Sequence, residues 1–221
     1  MGSDHYFSAS PASPENLRRI RVSLAGRDVE VTTAGGVFSP EHVDGGTAVL
    51  LANTPPPPPG GHLLDLGCGW GPIALSLALE SPHATVWAVD VNERALDLVR
   101  RNAAELGATN VNAVLPQDVP DDIAFRTIRS NPPIRVGKDV LHGLLDTWIP
   151  RLAERSDAWL VVQRNLGSDS LQRWLAASLD RSYSVSRAAT GRGFRVIKVR
   201  RHGTPPTGAI DLPASGEGDL A

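Results

Sequence analysis

The sequence predicts a doubly wound α/β domain with a mostly parallel, seven-stranded sheet and an N-terminal β-hairpin extension. Three observations predict it. Short apolar runs alternate with helix-patterned segments from His62 to Ser178, the order expected of βαβ units that cover both faces of a sheet. A glycine-rich turn, "DLGCGWG", joins the first such run to the first such helix. Two further segments with alternating polarity then close the domain as an antiparallel pair.

The elements follow in order. Residues 1–17 are polar and rich in Ser and Pro, and are expected to be flexible. "RRIRVSLAGRDVEVTT" alternates polarity on either side of Ala25-Gly26, which reads as a hairpin. "AGGVFSPEHVDGGTAVLL" is a glycine-rich loop that leads into a short helix. "TPPPPPGG" reads as a stiff surface connector ending in a flexible pair, rather than as a ligand for an SH3-type partner. "HLLDLG" is a strand, "GPIALSLALE" carries helical periodicity and "ATVWAVD" is a strand. "NERALDLVRRNAAELG" is a helix with Asn92 as N-cap and Gly107 beyond its end. "VNAVL" and "AFRTIRSN" are strands, although Arg126 and Arg129 make the second less apolar than a central strand should be. "DVLHGLLDTWIPRLAE" places residues 140, 141, 144, 145, 148, 149 and 152 on one face, and Pro150 should kink or end that helix. "AWLVVQ" is a strand, "SDSLQRWLAASL" a helix, and "YSVSRAA" and "GFRVIKVRR" form the closing pair. One domain is therefore expected over residues 18–202, with residues 18–53 as its extension and residues 203–221 as a disordered Gly/Pro-rich tail.

Composition narrows the function. A chain of 221 residues with 41% hydrophobic and 21% charged residues is ordinary for a globular domain with one sizeable core. A formal net charge of -2 argues against a whole-protein electrostatic grip on nucleic acid, though not against a local basic patch. Cys68 is the only cysteine, so no internal disulfide is possible, which fits a reducing cytoplasm. No apolar stretch reaches membrane-span length, and no signal peptide or myristoylation pattern is read at the N-terminus. No His, Cys and carboxylate cluster has metal-ligand spacing, so no metal is expected. His142 is expected on the exposed side of its helix, and the five tryptophans as core or rim packing.

Two motifs carry chemistry. In "DLGCGWG" the glycines Gly67, Gly69 and Gly71 let the backbone turn tightly and approach a ligand, ahead of a helix N-terminus with free N–H groups. A dinucleotide fingerprint would need its third glycine at position 72, which is Pro72. Asp90 ends the next strand roughly 20 residues on, where a carboxylate can accept from both hydroxyls of a ribose. The second motif is "SNPPI". Asn131 supplies a side-chain oxygen and Pro132 a main-chain carbonyl, and Pro132 and Pro133 stiffen both. Two fixed acceptors can hold the hydrogens of an exocyclic amine and favour a geometry with its lone pair free for attack, with no strong general base required.

The glycine loop resembles the E/D-x-G-x-G-x-G loop of class I S-adenosylmethionine (SAM) methyltransferases, whose fold is Rossmann-like. The second motif resembles the (N/D)-P-P-(Y/F/W) motif of amino-methyltransferases. "GGVFSPEHVDGGTAVLL", "LLDLGCGWGPIALSLA", "VWAVDVNERALDLVRRNA" and "SNPPIRVGK" resemble the small-domain methyltransferases, the group that contains the bacterial small-subunit ribosomal RNA guanine-N2 enzymes. The resemblance spans residues 18–200. It implies SAM as cofactor, Asp65 facing the methionine ammonium, Asp90 and Val91 at the ribose and Asp118 at the adenine amino group. Asp121 and Asp122 compete for that last role. Gly67, Cys68, Gly69 and Gly71 would then shape the cofactor loop, with Cys68 a small lining residue rather than a nucleophile. Phe38 and Thr47 fall in the segment that encloses the cofactor, and Asn131, Pro132, Pro133 and Ile134 form the catalytic motif. The implied partner is small-subunit ribosomal RNA. The alternatives are glutamine-N5 methylation of a protein and a SAM-binding module without turnover.

The chain departs from the family twice. Ile134 stands where the motif has an aromatic residue, and a short hairpin stands where the ribosomal guanine-N2 enzymes commonly carry a duplicated domain. Arg135 and Lys138 after the motif, Arg18, Arg19 and Arg21 on the hairpin, and Arg192 and Arg195 at the last turn permit RNA binding.

Overall fold

The computed structural model describes residues 16–204. The expectations of a flexible N-terminus and a disordered tail lie almost wholly outside the described residues. The chain opens with β1 (Arg18–Leu24) and β2 (Arg27–Thr33), an antiparallel hairpin. It turns on Ala25 and Gly26, both left-handed at φ 51° and 71°, the hand that matches strand twist. A loop leads to α1 (Gly45–Asn53). Then follow β3 (Gly60–Leu66), α2 (Pro72–Glu80), β4 (His83–Val89), α3 (Glu93–Glu105), β5 (Val111–Val114) and β6 (Phe125–Ser130). The chain continues through α4 (Lys138–Trp148), β7 (Leu152–Gln163), α5 (Ser168–Ser178), β8 (Tyr183–Gly191) and β9 (Phe194–Arg201).

The strands β3 to β9 form one seven-stranded sheet in the order β5-β4-β3-β6-β7-β9-β8, parallel except for β9 against its two neighbours. The doubly wound, mostly parallel expectation and the hairpin extension are therefore met. Strand order reverses at β3, and such switch points open a crevice at the carboxyl ends of the strands. Successive strand residues serve opposite faces. Leu63 packs with α1, α2, α3 and the hairpin, whereas its neighbour Leu64 packs with α4 and α5. Each is fully buried and contributes about 1.5–3 kcal/mol.

Several local expectations change in tertiary context. The helix α2 is buried on nearly every side, from Pro72 to Ala78, so it has no polar face. It lies between the sheet, α1, α3 and the hairpin. Gly60 and Gly61 are the first residues of β3 rather than a flexible pair, and a Cβ on Gly61 would meet the Arg126 side chain at 2.8 Å. Strand β6 is central despite its arginines. Arg126 is exposed at the amino edge, and Arg129 is buried with its Nη2 donating to Pro55 O at 2.7 Å. The proline connector thus satisfies a guanidinium that burial would otherwise strand, and burial lowers the Arg129 pKa. Helix α4 ends at Trp148, ahead of Pro150, as expected, but Val140 is 60% exposed and leaves the predicted face. His142 is half-buried and stacks on Trp174 with ring centroids 3.7 Å apart. Trp70, Trp148 and Trp159 are buried in the core.

Candidate active site

The crevice is built where β3 and β6 lie side by side. Asp65 pairs with Arg129 in register, and Ser130 Oγ donates to Leu66 O at 2.6 Å. The glycine loop and the Asn-Pro-Pro segment therefore leave the sheet as neighbours. Gly67, Cys68, Gly69, Trp70, Thr47, Asp44, Phe38 and Asn131 line one cavity.

The loop is held from beneath. Gly67 and Cys68 N–H both donate to Val89 O, and Gly69 N–H donates to Asp90 Oδ2 at 2.9 Å. The three glycines are all left-handed, at φ 76°, 54° and 99°, but they do different work. A Cβ on Gly67 or Gly69 would meet no protein atom within 4 Å, so both face open space that a ligand can fill. A Cβ on Gly71 would lie 3.0 Å from Val99 Cγ2, so that glycine lets α2 pack on α3. Replacing Gly71 by alanine should lower the melting temperature by about 3 to 8 °C through left-handed strain and that clash. Differential scanning calorimetry checks it, and an unchanged transition would contradict the packing role.

Asp65, near the end of β3, is fully buried. Its Oδ2 accepts from Ala74 N–H at 2.8 Å, in the first turn of α2, and its Oδ1 is buried without a hydrogen-bond partner. Burial pushes its pKa up to about 8, with Asp90 adding and the Ala74 N–H and Arg129 opposing. The unfolded value is 3.8, so the folded chain retains a proton that the unfolded chain releases. That contribution to stability is complete below about pH 4 and is lost as pH rises through about 8. Denaturant midpoints measured at about pH 5 and about pH 8 should fall for the native chain and fall less for Asp65→Asn. Equal slopes would show Asp65 already ionised at the lower pH.

Asp90 Oδ1 accepts from Asn92 N–H at 3.0 Å, so this carboxylate joins the loop to the cap of α3. Burial raises its pKa while the N–H groups of Asn92, Gly69 and Val91 restrain it. Asn92 caps Arg94 and Ala95 N–H, as expected, and its side chain also donates to Gly36 O. Cys68 is buried, and desolvation followed by Asp90 and Asp65 pushes its thiol well above the ordinary range, so it is not a nucleophile. Val91 is exposed at 42% beside the crevice. Asp118 is exposed in a 3-10 turn (Pro116–Asp118) after β5. Asp121 and Asp122 lie further on, within the field of Arg151 at the opposite edge of the sheet.

Asn131 is the best-defined group. Its Nδ2 donates to Asp44 Oδ2 at 2.8 Å and to Thr47 Oγ1 at 3.1 Å. A carboxylate oxygen cannot donate, so the amide nitrogen must face Asp44 and Oδ1 must point away from it. That Oδ1 accepts no hydrogen bond among the described residues. Asp44 Oδ2 also caps α1, accepting from Gly46 N–H at 2.7 Å and Thr47 N–H at 3.2 Å. Sequence reading missed Asp44. The signal was there, because an aspartate directly before "GGTAVLL" is an N-cap. Its second partner, Asn131, is 87 positions away.

The prolines depart from expectation in one respect. Pro132 O, expected as a free acceptor, already accepts from Ile134 N–H at 2.9 Å around Pro133, whose φ −73° and ψ 79° form an inverse γ-turn. One lone pair of that carbonyl remains. Ile134 is half-buried and packs against the core on the α4 and α5 side of the sheet.

The model of the methyltransferase small domain family matches residues 28–198. A Bacillus subtilis protein known as "Uncharacterized protein YbxB" is 35% identical over 202 residues, covering 90% of this chain and 99% of its own length. Ribosomal RNA small subunit methyltransferase C of Acinetobacter baylyi is 33% identical over 194 residues, with 83% of this chain matched to 54% of that relative. The chain thus spans about half the length of that named enzyme. In fold it is similar to the Thermus thermophilus 16S rRNA N2 G1207 methyltransferase (RsmC) in complex with AdoMet and guanosine. The TM-score is 0.72 at 22% identity, covering 86% of this chain and 52% of that one.

Proposed function

This chain belongs to the methyltransferase small-domain family, and from that premise we propose that it methylates the exocyclic amino group N2 of guanine in small-subunit ribosomal RNA. The observation that carries the reading is the orientation of Asn131, whose oxygen is left unpartnered in the cavity it shares with the glycine loop.

S-adenosylmethionine, when bound, supplies an electrophilic methyl group on a sulfonium. The residues present fit such a ligand. Gly67 and Gly69 face space without protein atoms, and Asp65 holds a buried oxygen with no partner, which a ligand ammonium would relieve. Asp90 offers lone pairs beyond those that the N–H groups of Asn92, Gly69 and Val91 use. Thr47 and Cys68 complete the loop side, Gly71 seats the loop through its packing of α2 on α3, and Val91 and Asp118 stand beyond β4 and β5 for the nucleoside end.

Asn131 Oδ1 accepts one N–H of the substrate amine and the remaining lone pair of Pro132 O accepts the other. The two acceptors hold the nitrogen with its own lone pair directed across the cleft. The cavity lining contains no histidine, and its carboxylate, Asp44, is engaged by three donors. The nitrogen therefore gives its proton to solvent once the new C–N bond has made it cationic, which needs no strong base. Ile134 offers the target base an aliphatic contact where an aromatic would stack.

No helix among the described residues is long and apolar enough to cross a membrane, and none of their His, Cys, Asp and Glu side chains cluster as a metal site. The chain acts in the cytoplasm, where its ribosomal substrate is assembled. The test is incubation with methyl-labelled SAM, small-subunit ribosomal RNA and a release factor. Label recovered as N2-methylguanosine supports the reading. Label on the release-factor glutamine, or none on either, overturns it.

A further inference from the structure

The carboxyl edge of the sheet is electrostatically asymmetric. Beyond β4 and β5 stand the carboxylates Asp90 and Asp118. On the other flank, Arg135 and Lys138 follow β6, Arg164 follows β7, and Arg192 occupies the β8–β9 turn. That turn belongs to the same edge because β9 runs antiparallel to β7. Gln163 pairs with Phe194, and Arg164 N–H donates to Gly193 O at 2.8 Å. It also abuts the reaction site. The Phe194 ring stands 2.9 Å from where a Cβ on Gly46 would lie, beside the Asp44 and Thr47 that hold Asn131.

Arg135, Lys138, Arg164 and Arg192 are exposed, and their side chains make no ion pair or hydrogen bond among the described residues. The other basic groups singled out in the sequence are spent. Arg18 pairs with Glu41, Arg19 with Glu30 and Glu105, Arg21 with Glu30, and buried Arg195 with Asp169. Of the other arginines without an ion pair or side-chain hydrogen bond among the described residues, Arg126, Arg155 and Arg181 lie toward the opposite edge of the sheet, and Arg27, Arg101, Arg173 and Arg187 stand on the hairpin, α3, α5 and β8. Two of the five exposed large hydrophobic residues among those described also lie on this flank. Val140, in the first turn of α4, is 60% exposed, and Leu166, after β7, is 37% exposed. Val140 comes two residues after Lys138, and Leu166 two residues after Arg164.

We infer that Arg135, Lys138, Arg164 and Arg192, with Val140 and Leu166 between them, form the docking rim for the single-stranded RNA that flanks the target base. The inference rests on the RNA reading of the site. Phosphates supply most of the affinity in such contacts and make it salt-dependent, while unstacked bases pack on exposed apolar side chains. A chain of net charge -2 needs such a local rim, since it has no global attraction for a polyanion. The hairpin cluster Arg18, Arg19 and Arg21, paired with Glu30, Glu41 and Glu105, takes no part.

The experiment uses the full chain and a fluorescein-labelled, guanosine-containing single-stranded RNA of about 12 nucleotides, followed by anisotropy across a salt series. The double variant Arg164→Glu with Arg192→Glu should weaken RNA binding at least about tenfold and flatten the salt slope by about one unit or more. Its SAM affinity and melting temperature should stay at native values. The control, Arg19→Glu with Arg21→Glu, should change RNA affinity less than about twofold. Native RNA binding by the rim variant, or loss confined to the hairpin variant, overturns the inference. If the native chain labels ribosomal RNA while the rim variant does so equally well at low RNA concentration, only the rim is wrong. If the native chain labels protein glutamine instead, the RNA reading itself has failed.

Discussion

Replacing Asn131 by alanine should lower the single-turnover methyl-transfer rate by about 100- to 1000-fold while SAM affinity changes less than about threefold. The size follows from what is lost. The Asn131 oxygen is held in place before substrate arrives, because its amide nitrogen is already committed to Asp44 and Thr47. A pre-oriented acceptor costs no reorganisation as charge develops on the nitrogen it holds. The glycine loop, by contrast, is anchored by Val89 O and Asp90, which this change does not touch. Asn131→Asp is a sharper probe. It keeps an acceptor oxygen but sets a second carboxylate against Asp44, where an N–H donor now stands 2.8 Å away. Like charges at that distance disfavour the native orientation, so this variant should be nearly as slow as the alanine one. Rapid-quench measurement with methyl-labelled SAM reads both. Transfer by Asn131→Ala at the native rate would remove Asn131 from the chemistry.

Asp44→Ala should cost about 10- to 100-fold in transfer rate, although Asp44 is assigned no contact with the reacting atoms. One carboxylate oxygen does two jobs, capping α1 and fixing the Asn131 amide. Losing the cap costs about 1 kcal/mol of stability. Losing the amide anchor lets the Asn131 oxygen turn away from the substrate. The two effects separate experimentally. A purely structural defect would act through unfolding and vanish well below the melting transition, whereas a positioning defect persists there in kcat with KM little changed. Asp44→Asn, which keeps an acceptor oxygen for the cap and the amide, should restore part of the rate. Adding Asp44→Ala to Asn131→Ala should cost little further, since both act through the same oxygen. Full additivity in that double variant would show that Asp44 does not act through Asn131.

Asn131 and Asp44 also mark what can be read from sequence. Asn131 was legible because its chemistry lies in three consecutive residues, an amide followed by two prolines that limit the backbone. Asp44 was legible only as a cap, for its second partner stands just after β6, 87 positions away. The arginines divide similarly. Arg18, Arg19 and Arg21 read as a basic cluster, yet cross-strand Glu30, the loop residue Glu41 and Glu105 from α3 neutralise them. Arg129 argued against a central strand until the connector carbonyl of Pro55 was brought beside it. The nearly fully buried α2 shows the same limit, because helical periodicity predicts one wet face and α1, α3 and the hairpin cover it.

Local features of the fold were determined by the amino-acid order alone: the type and succession of strands and helices, the hairpin turn at Ala25-Gly26, the cap at Asn92, the glycine loop and the stiff Asn-Pro-Pro segment. Their causes act over a few bonds, through steric limits on φ, missing N–H groups and side-chain periodicity. Tertiary structure alone decided which carboxylate holds Asn131, which cations remain unpaired at the cleft, and that Gly71 serves packing while Gly67 and Gly69 face open space. Those outcomes depend on burial and on partners far apart in the chain, and only the pairing of β3 with β6 and of β7 with β9 brings them together.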